Sequence, residues 1–221
     1  MYYAFKHMKS VSISIIVVLI MNAATLTLFA SDSVKATTVK VIQTSDNSVE
    51  LLEGSTKEAI AINEISNTIT KINVSDGIDS SYFIVDKSRG TIYSSLVDKS
   101  FDLQDFVEDN LSVSATRAAK NVTTKKISFA KIKKGLGGTA TVATIAGIVL
   151  SILSGLGYAL PAMLAVLTDK IGQIATVASL VVKGSSKHGL AIKMKSYTRS
   201  TTKNGKVYKY KAWKVTNVSR Y

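Results

Sequence analysis

The chain has 221 residues and a formal net charge of +13, with 28 basic and 15 acidic residues. It has no cysteine, which excludes a disulfide framework and a thiolate metal site. It has two histidines, so few residues are available for histidine-based catalysis. We therefore predict a protein that is not an enzyme and that needs no cofactor or metal.

The charge is distributed unevenly along the chain. Residues 37–110 carry 6 basic and 13 acidic side chains, whereas residues 111–221 carry 19 basic side chains and one acid, Asp169. A cationic half favours anionic partners such as lipid headgroups, teichoic acids or nucleic acid. The acidic half could mask part of that charge within the same molecule.

Residues 1–36 have the three parts of a secretory signal peptide, namely a basic start, an apolar stretch and small residues before a cut. We predict cleavage after Ala36, with Ala30 as the second choice and Met8 as an alternative initiator. An uncleaved membrane anchor is the competing interpretation, because the apolar stretch approaches the roughly 20 residues that span a bilayer. Cleavage implies an extracellular protein.

Residues 37–110 are predicted to form an acidic β-rich domain. Short apolar runs alternate there with turn-forming Ser, Asp, Asn and Gly, a pattern typical of strands in hairpins. We predict an antiparallel meander with strands over residues 38–43, 58–65, 68–74, 81–86 and 91–97. After the meander, the apolar spacing over residues 101–107 predicts a short acidic helix with Ser100 as its N-cap.

Residues 111–135 form a basic segment in which acidic residues disappear. It is interpreted as a linker or a basic amphipathic helix; a protease-sensitive junction and a merely solvated charged face are the alternatives. Three lysines at its end directly precede an apolar stretch. We expect them to attract anionic headgroups; they are Lys131, Lys133 and Lys134.

Residues 136–183 are the strongest signal in the mature sequence and predict a hydrophobic, Gly/Ala-rich helical hairpin. No charged residue occurs before Asp169, and the apolar character resumes after Lys170. The run is too long for one span, and Gly157 and Pro161 interrupt it, so two helices joined at that hinge suit it better.

Small residues recur every fourth position in the first helix and form one ridge, which would allow close helix–helix contact in lipid. They are Thr139, Ala143, Gly147, Ser151 and Gly155. In the second helix Asp169, Gln173 and Thr176 form a narrow polar stripe. Burial of both helices in a soluble core is the alternative; the apolar length, which matches a bilayer, and the small size of the chain favour membrane activity.

Residues 184–221 predict a basic, aromatic β-hairpin around Asn204-Gly205, a dipeptide typical of type I′ turns. With this turn, Thr201 opposes Tyr208 and Arg199 opposes Tyr210. The other face carries the candidates for headgroup contact, Lys209, Lys211 and Trp213. Aromatic and cationic groups together suit the interface of an anionic membrane, while a solvated hairpin or single-stranded nucleic acid binding are the alternatives. Export argues against nucleic acid, and His188 is interpreted as an exposed loop residue.

The order of these parts resembles that of large unmodified secreted bacteriocins of the geobacillin type and related Gram-positive exoproteins. The likeness consists of a leader ending in a small-x-Ala cut, an acidic β-rich segment, a Gly/Ala-rich stretch that starts Lys134-Gly135-Leu136-Gly137-Gly138, and a lysine- and tyrosine-rich tail. It rests on organisation rather than on a motif, so no functional residue is carried over.

Together these features predict an α+β protein with an antiparallel β-meander and short acidic helix, a central hydrophobic helical hairpin, and a C-terminal basic β-hairpin. We expect a secreted, bacteriocin-like antibacterial protein that binds anionic membranes and inserts the helical hairpin to permeabilise them. Its expected partners are an anionic lipid membrane, an immunity protein and further copies of the chain in the membrane, with no nucleic acid. The alternative is a cell-surface or membrane-anchored envelope protein with β-rich binding modules and no killing activity.

Overall fold

Two antiparallel sheets and four helices make up the part of the chain that the computed structural model describes, residues 39–106, 121–174, 177–203 and 205–221. The predicted α+β class is confirmed by this arrangement. The predicted leader and its cleavage site at Ala36 lie outside the described residues, as do Thr176 of the polar stripe and most of the predicted basic segment.

The acidic half forms a seven-stranded meander in which each strand pairs with the next along the chain. Alternate residues of the strands, such as Ile72, Val74 and Phe83, are buried on one face of this sheet. The strands are β1 (Val39–Ser45), β2 (Ser48–Glu53), β3 (Thr56–Glu64), β4 (Ile69–Ser75), β5 (Ser80–Asp86), β6 (Thr91–Ser94) and β7 (Lys99–Asp102). All five predicted strands are confirmed, with ends shifted by up to three residues, while β2 and β7 were missed.

The acidic helix predicted over residues 101–107 is reduced to one 3-10 turn among the described residues. Phe101 lies in β7, and the 3-10 turn over Leu103–Asp105 directly follows that strand. Asp102 precedes that turn without a capping side-chain hydrogen bond, so Ser100 is not an N-cap. Phe101 and Phe106 pack edge to face with ring centroids 5.7 Å apart. The apolar spacing that suggested a helix therefore comes from a strand end and a tight turn that bury both rings.

The central region is helical, as predicted, but the structure divides it into more helices. They are α1 (Phe129–Leu136), α2 (Val142–Gly155), α3 (Leu164–Gln173) and α4 (Val177–Lys183). Thr141 and Thr144 form a reciprocal capping box that starts α2. After α2 the chain turns at Gly157. The φ angle of this residue is +83°, a value that glycine adopts without strain. The second predicted helix is split in two, and α1 lies mostly in the segment 111–135, which was predicted to be a linker or a basic amphipathic helix.

The basic C-terminal half builds a second sheet from β8 (Val122–Ser128), β9 (Gly189–Lys203) and β10 (Lys206–Arg220), in the order β10-β9-β8. The hairpin register is confirmed, because Tyr208 pairs with Thr201 and Tyr210 with Arg199. Strand β8 was not predicted. Its sequence, VTTKKIS, shows no clear two-residue period, and it forms by pairing with β9, about 65 residues further along the chain.

One hydrophobic core joins both sheets and the helices. Helix α2 packs on β3, β4, β5 and β6 of the meander, while α3 contacts β1, α2 and β10. Thirteen of the 14 residues of α2 are buried, from Val142 to Ser154. The side of the second sheet that faces the core contributes Leu190, Ile192 and Met194, all fully buried. The apolar stretch is thus the centre of the folded molecule.

Replacing Gly147 by valine tests the packing of α2 on the meander. A Cβ atom at this position would lie 2.7 Å from Val74 Cγ1 and 2.9 Å from Phe83 Cε2. We expect Gly147→Val to lower the free energy of unfolding by about 1–3 kcal/mol, because overpacking forces neighbouring side chains to move. Urea denaturation measures the change.

The matched control is Gly138→Val, since a Cβ atom at Gly138 has no neighbour within 4 Å. This variant should lose markedly less stability. Equal stability of Gly147→Val and the unmodified protein would contradict the packing of α2 on the sheet.

Candidate functional site

The outward side of the second sheet presents a continuous cationic and aromatic surface. Alternation along the strands places Leu190, Ile192 and Met194 towards the core, and the intervening residues point away from it. We call this surface the basic-aromatic face. It consists of Lys126, Lys193, Lys195, Tyr197, Arg199, Tyr208, Tyr210 and Lys214.

The strands of this sheet are uniformly cationic. Together β8, β9 and β10 contain 11 basic residues and no acidic one. Lys195 of β9 pairs directly with Lys214 of β10, and like charges in that position destabilise a sheet.

The two charged halves of the protein are joined by one ion pair among the described residues, between Lys134 Nζ and Asp105 Oδ2 at 2.8 Å. The other three ion pairs found there lie within one half and involve Lys57, Arg89 and Lys170. None of them includes a lysine or arginine of the basic-aromatic face. Direct contact with an acidic side chain thus masks the charge of Lys134, and Lys131 also interacts within the chain.

Beyond the core, the β9–β10 hairpin continues as an exposed arm. Lys209 and Lys211, named from the sequence, are exposed on its second face beside Val207. Tyr208 is 51% and Tyr210 44% exposed on the basic-aromatic face. Tyrosine rings and lysines exposed side by side are typical of surfaces that meet a membrane interface.

Trp213 lies at the base of this arm rather than on its free part. It is half-buried, and its ring meets Tyr158 edge to face with centroids 5.8 Å apart. Tyr158 follows the turn at Gly157, so the contact ties the arm to the segment behind α2. Pro161 lies in the same segment, between α2 and α3, where the sequence predicted the hinge.

The three lysines predicted to attract headgroups lie on α1 and interact within the protein. Lys133 Nζ donates to the main-chain oxygen of Val182 at 2.7 Å and so caps the end of α4. Lys134 donates to Asp105, and together with the more distant Lys131 it holds the pKa of that carboxyl below its usual value. Lys131 also has an interaction within the chain. Their attraction to headgroups stays a prediction.

The small-residue ridge of α2 faces the meander in this structure. A Cβ atom at Gly155 would lie 2.8 Å from Leu103 Cδ1, and Gly147 approaches Val74 and Phe83 as described above. Ser151 Oγ donates to the main-chain oxygen of Gly147 at 2.8 Å, which leaves no polar atom of the pair unsatisfied. Ala143 is buried, whereas Thr139 is exposed and precedes the helix. Contact of this ridge with another helix in lipid stays a prediction.

The polar side chains of the stripe on α3 interact with each other and with Lys170. Gln173 Nε2 donates to Asp169 Oδ2 at 3.1 Å, and Lys170 Nζ lies 3.3 Å from the same oxygen. Asp169 and Lys170 are both half-buried. Their pairing lowers the cost of placing these charges next to an apolar helix.

Glu58 is a functional candidate that the sequence did not reveal. This carboxylate on β3 is only 5% exposed, and its Oε2 accepts from the main-chain N–H of Ala143 in the first turn of α2 at 2.6 Å. A carboxylate at this position satisfies a free N–H group and interacts favourably with the helix dipole. Glu58 thereby fastens the start of the apolar helix to the sheet.

Burial raises the pKa of the Glu58 carboxyl, the hydrogen bond from Ala143 opposes that shift, and the charge of Glu53 adds to it. The net direction is upward. The folded protein therefore holds this proton more tightly than the unfolded chain. The contribution of Glu58 to the free energy of unfolding is therefore lowest at pH values above the pKa of the folded state, and it rises as the pH falls through that pKa.

No single helix among the described residues is long and apolar enough to cross a membrane; by length and composition alone, the pair α3 and α4, bent by 81°, could do so. The described residues also contain no group of three or more His, Asp or Glu side chains arranged to hold a metal ion.

No protein-family model matches the chain, and no curated protein or solved structure is significantly similar to it.

Replacing Glu58 by glutamine tests the attachment of α2 to strand β3. Glutamine can accept the Ala143 N–H without carrying charge, so the pH-dependent cost of a buried carboxylate disappears. We expect the stability of Glu58→Gln, relative to the unmodified protein, to be more favourable at pH 7.5 than at pH 4. Urea denaturation at both values gives the comparison.

Glu64→Gln is the matched control, because Glu64 is exposed on the same strand. Its stability difference should change little between the two pH values. A difference for Glu58→Gln that is the same at pH 7.5 and pH 4 would contradict the buried, proton-binding carboxyl.

Proposed function

We propose that this is a secreted, bacteriocin-like antibacterial protein that binds anionic membranes through the basic-aromatic face and then permeabilises them with its apolar helices. The observation that carries the proposal is the acid-free sheet, whose lysines and arginines have no acidic partner among the described residues while two tyrosines stand exposed beside them. An anionic bilayer offers headgroup charge and an interfacial zone for the rings.

Binding is the first step. Lysines and arginines near an anionic surface contribute about 1 kcal/mol each. The basic-aromatic face spreads its charges over three strands, so several of them can approach a flat membrane together. The acidic meander carries the opposite charge and would turn the molecule so that the second sheet faces the lipid.

Insertion is the second step and requires that α2 leave its place on the meander. The helix carries no charge over its 14 residues, so hydrocarbon can replace the contacts it loses. The apolar face of the meander then loses its cover and must meet lipid or another copy of the chain. Insertion therefore requires tight binding of the protein to the membrane. Contact between the uncovered meander faces of several copies would account for the predicted oligomer.

The second candidate function is an envelope protein with β-rich binding modules and no killing activity. The burial of 13 of the 14 residues of α2 favours it, because the helix already has a complete apolar environment within the fold. Culture fractionation with a growth-inhibition assay separates the two candidates: inhibition by the supernatant supports the first, and retention in the producer's envelope without inhibition supports the second.

Binding is tested by removing three charges from the basic-aromatic face, with Lys193→Gln, Lys195→Gln and Lys214→Gln combined. At about 1 kcal/mol each, we expect affinity for phosphatidylglycerol vesicles at low salt to fall on the order of 100-fold. Sedimentation with vesicles measures the affinity.

The control combines Lys40→Gln, Lys57→Gln and Lys99→Gln, three exposed lysines of the meander, for an equal change in net charge. It should reduce affinity much less. An equal loss for both triple variants would show that net charge alone, and not this face, binds the membrane.

Insertion is tested by a reversible lock between α3 and β1. A Cβ atom at Gly172 would lie 3.2 Å from Val39 Cβ, slightly closer than the roughly 3.5–4.5 Å of a disulfide, so a small outward shift of α3 accommodates the bridge. Because the chain has no other cysteine, Val39→Cys with Gly172→Cys gives one defined bridge. We expect the oxidised variant to bind anionic vesicles without releasing an enclosed dye, and the reduced variant to bind and release it.

The same preparation before and after reduction supplies its own control. Equal dye release in both states would contradict the participation of α3 in insertion, and release in neither state would favour the second candidate function.

A further inference from the structure

A cavity of about 430 Å³ lies between α4, the start of α1, the start of β9 and the end of β10. Its size falls within the range of small-molecule sites in proteins, roughly 300–1,000 Å³. It is lined by Phe129, Leu180, Lys183, Ser185, His188, Arg220 and Tyr221.

Main-chain hydrogen bonds hold the walls of this cavity in place. Phe129 N–H donates to His188 O at 2.8 Å, and Ala130 N–H donates to Ser185 O at 2.9 Å. On the other side, Gly189 and Tyr221 exchange two bonds of 3.2 Å. The loop between α4 and β9 is therefore anchored to α1 and to β10 at once. Ligand sites are usually pre-formed in this way.

The lining separates into an apolar wall and a cationic rim. Phe129 is 1% exposed and Leu180 is half-buried, and both present hydrocarbon to the cavity. Lys183 and Arg220 are exposed at its edge, and no acidic side chain is among the lining residues. His188 is also exposed there, and its Nδ1 lies 3.1 Å from the main-chain oxygen of Tyr221. The guanidinium of arginine matches the two oxygens of a carboxylate or phosphate.

We propose that this cavity binds an amphipathic anion, with a single hydrocarbon chain against Phe129 and Leu180 and a carboxylate or phosphate head at the rim formed by Lys183 and Arg220. Fatty acids and lysophospholipids share this chemistry. A charged polymer would use the rim and leave the apolar wall in water. The site is independent of membrane permeabilisation and would be present in either candidate function.

Calorimetric titration of the mature protein tests the site. The probes are dodecanoate and lysophosphatidylglycerol below their micelle concentrations, with dodecanol and lysophosphatidylcholine as uncharged and zwitterionic partners. We expect saturable, one-to-one binding of at least one anionic probe, at least tenfold tighter than its control. Which anion binds better decides between a carboxylate and a phosphate head.

Two pairs of variants place the binding in this cavity. Arg220→Gln should weaken the anion at least tenfold, while Lys206→Gln, an exposed residue at the other end of the same strand, should not. Leu180→Gln should weaken both the anion and its control, while Val182→Gln, on the same helix and 51% exposed, should leave both unchanged. Thermal melting verifies that all four variants fold.

Absence of saturable binding by either anion would overturn the proposal. So would equal affinity for the anionic and control probes, or undiminished affinity in both Arg220→Gln and Leu180→Gln. These outcomes do not depend on dye release from vesicles, so the cavity and the membrane-active function can fail separately.

Discussion

The structure depends on the contact between the uncharged helix α2 and the apolar face of the meander. A sheet with one apolar face and a helix without a polar face are each unstable in water alone, and each removes the other from it. Large apolar side chains contribute about 1.5–3 kcal/mol apiece when fully buried. Gly147 brings the helix close to Val74 and Phe83, and Glu58 holds its first turn. Small residues thus allow the contact, and one carboxylate fixes its position.

The same contact explains why both candidate functions remain open to one fold. A helix buried on all sides can be a permanent core or a stored membrane segment, and the difference lies in the free energy needed to separate it from the sheet. Burial of Glu58 adds a pH dependence, since its raised pKa means that the folded state gains stability over the unfolded chain as the pH falls. Protonation of this group therefore does not by itself destabilise the fold.

Charge segregation is the second organising feature. The acidic meander and the cationic second sheet share one core, yet a single ion pair, Lys134–Asp105, connects their charges in the described part of the chain. Because the opposite charges are kept apart, the second sheet carries positive charge and the meander carries negative charge. The cavity near Arg220 adds a smaller cationic site, with hydrocarbon beside it, on the same half of the chain.

The sequence by itself determined the features that depend on near neighbours: the strands with a two-residue period, the break at Gly157, and the register around Asn204-Gly205, because turn chemistry and alternation act over a few residues. Tertiary structure alone decided the rest. Strand β8 exists through its pairing with β9, the ridge at Gly147 fits a sheet, and Lys133 caps a helix 49 residues away. A pattern of small or charged residues specifies the shape and charge of a surface, but which partner it meets follows from how the whole chain packs.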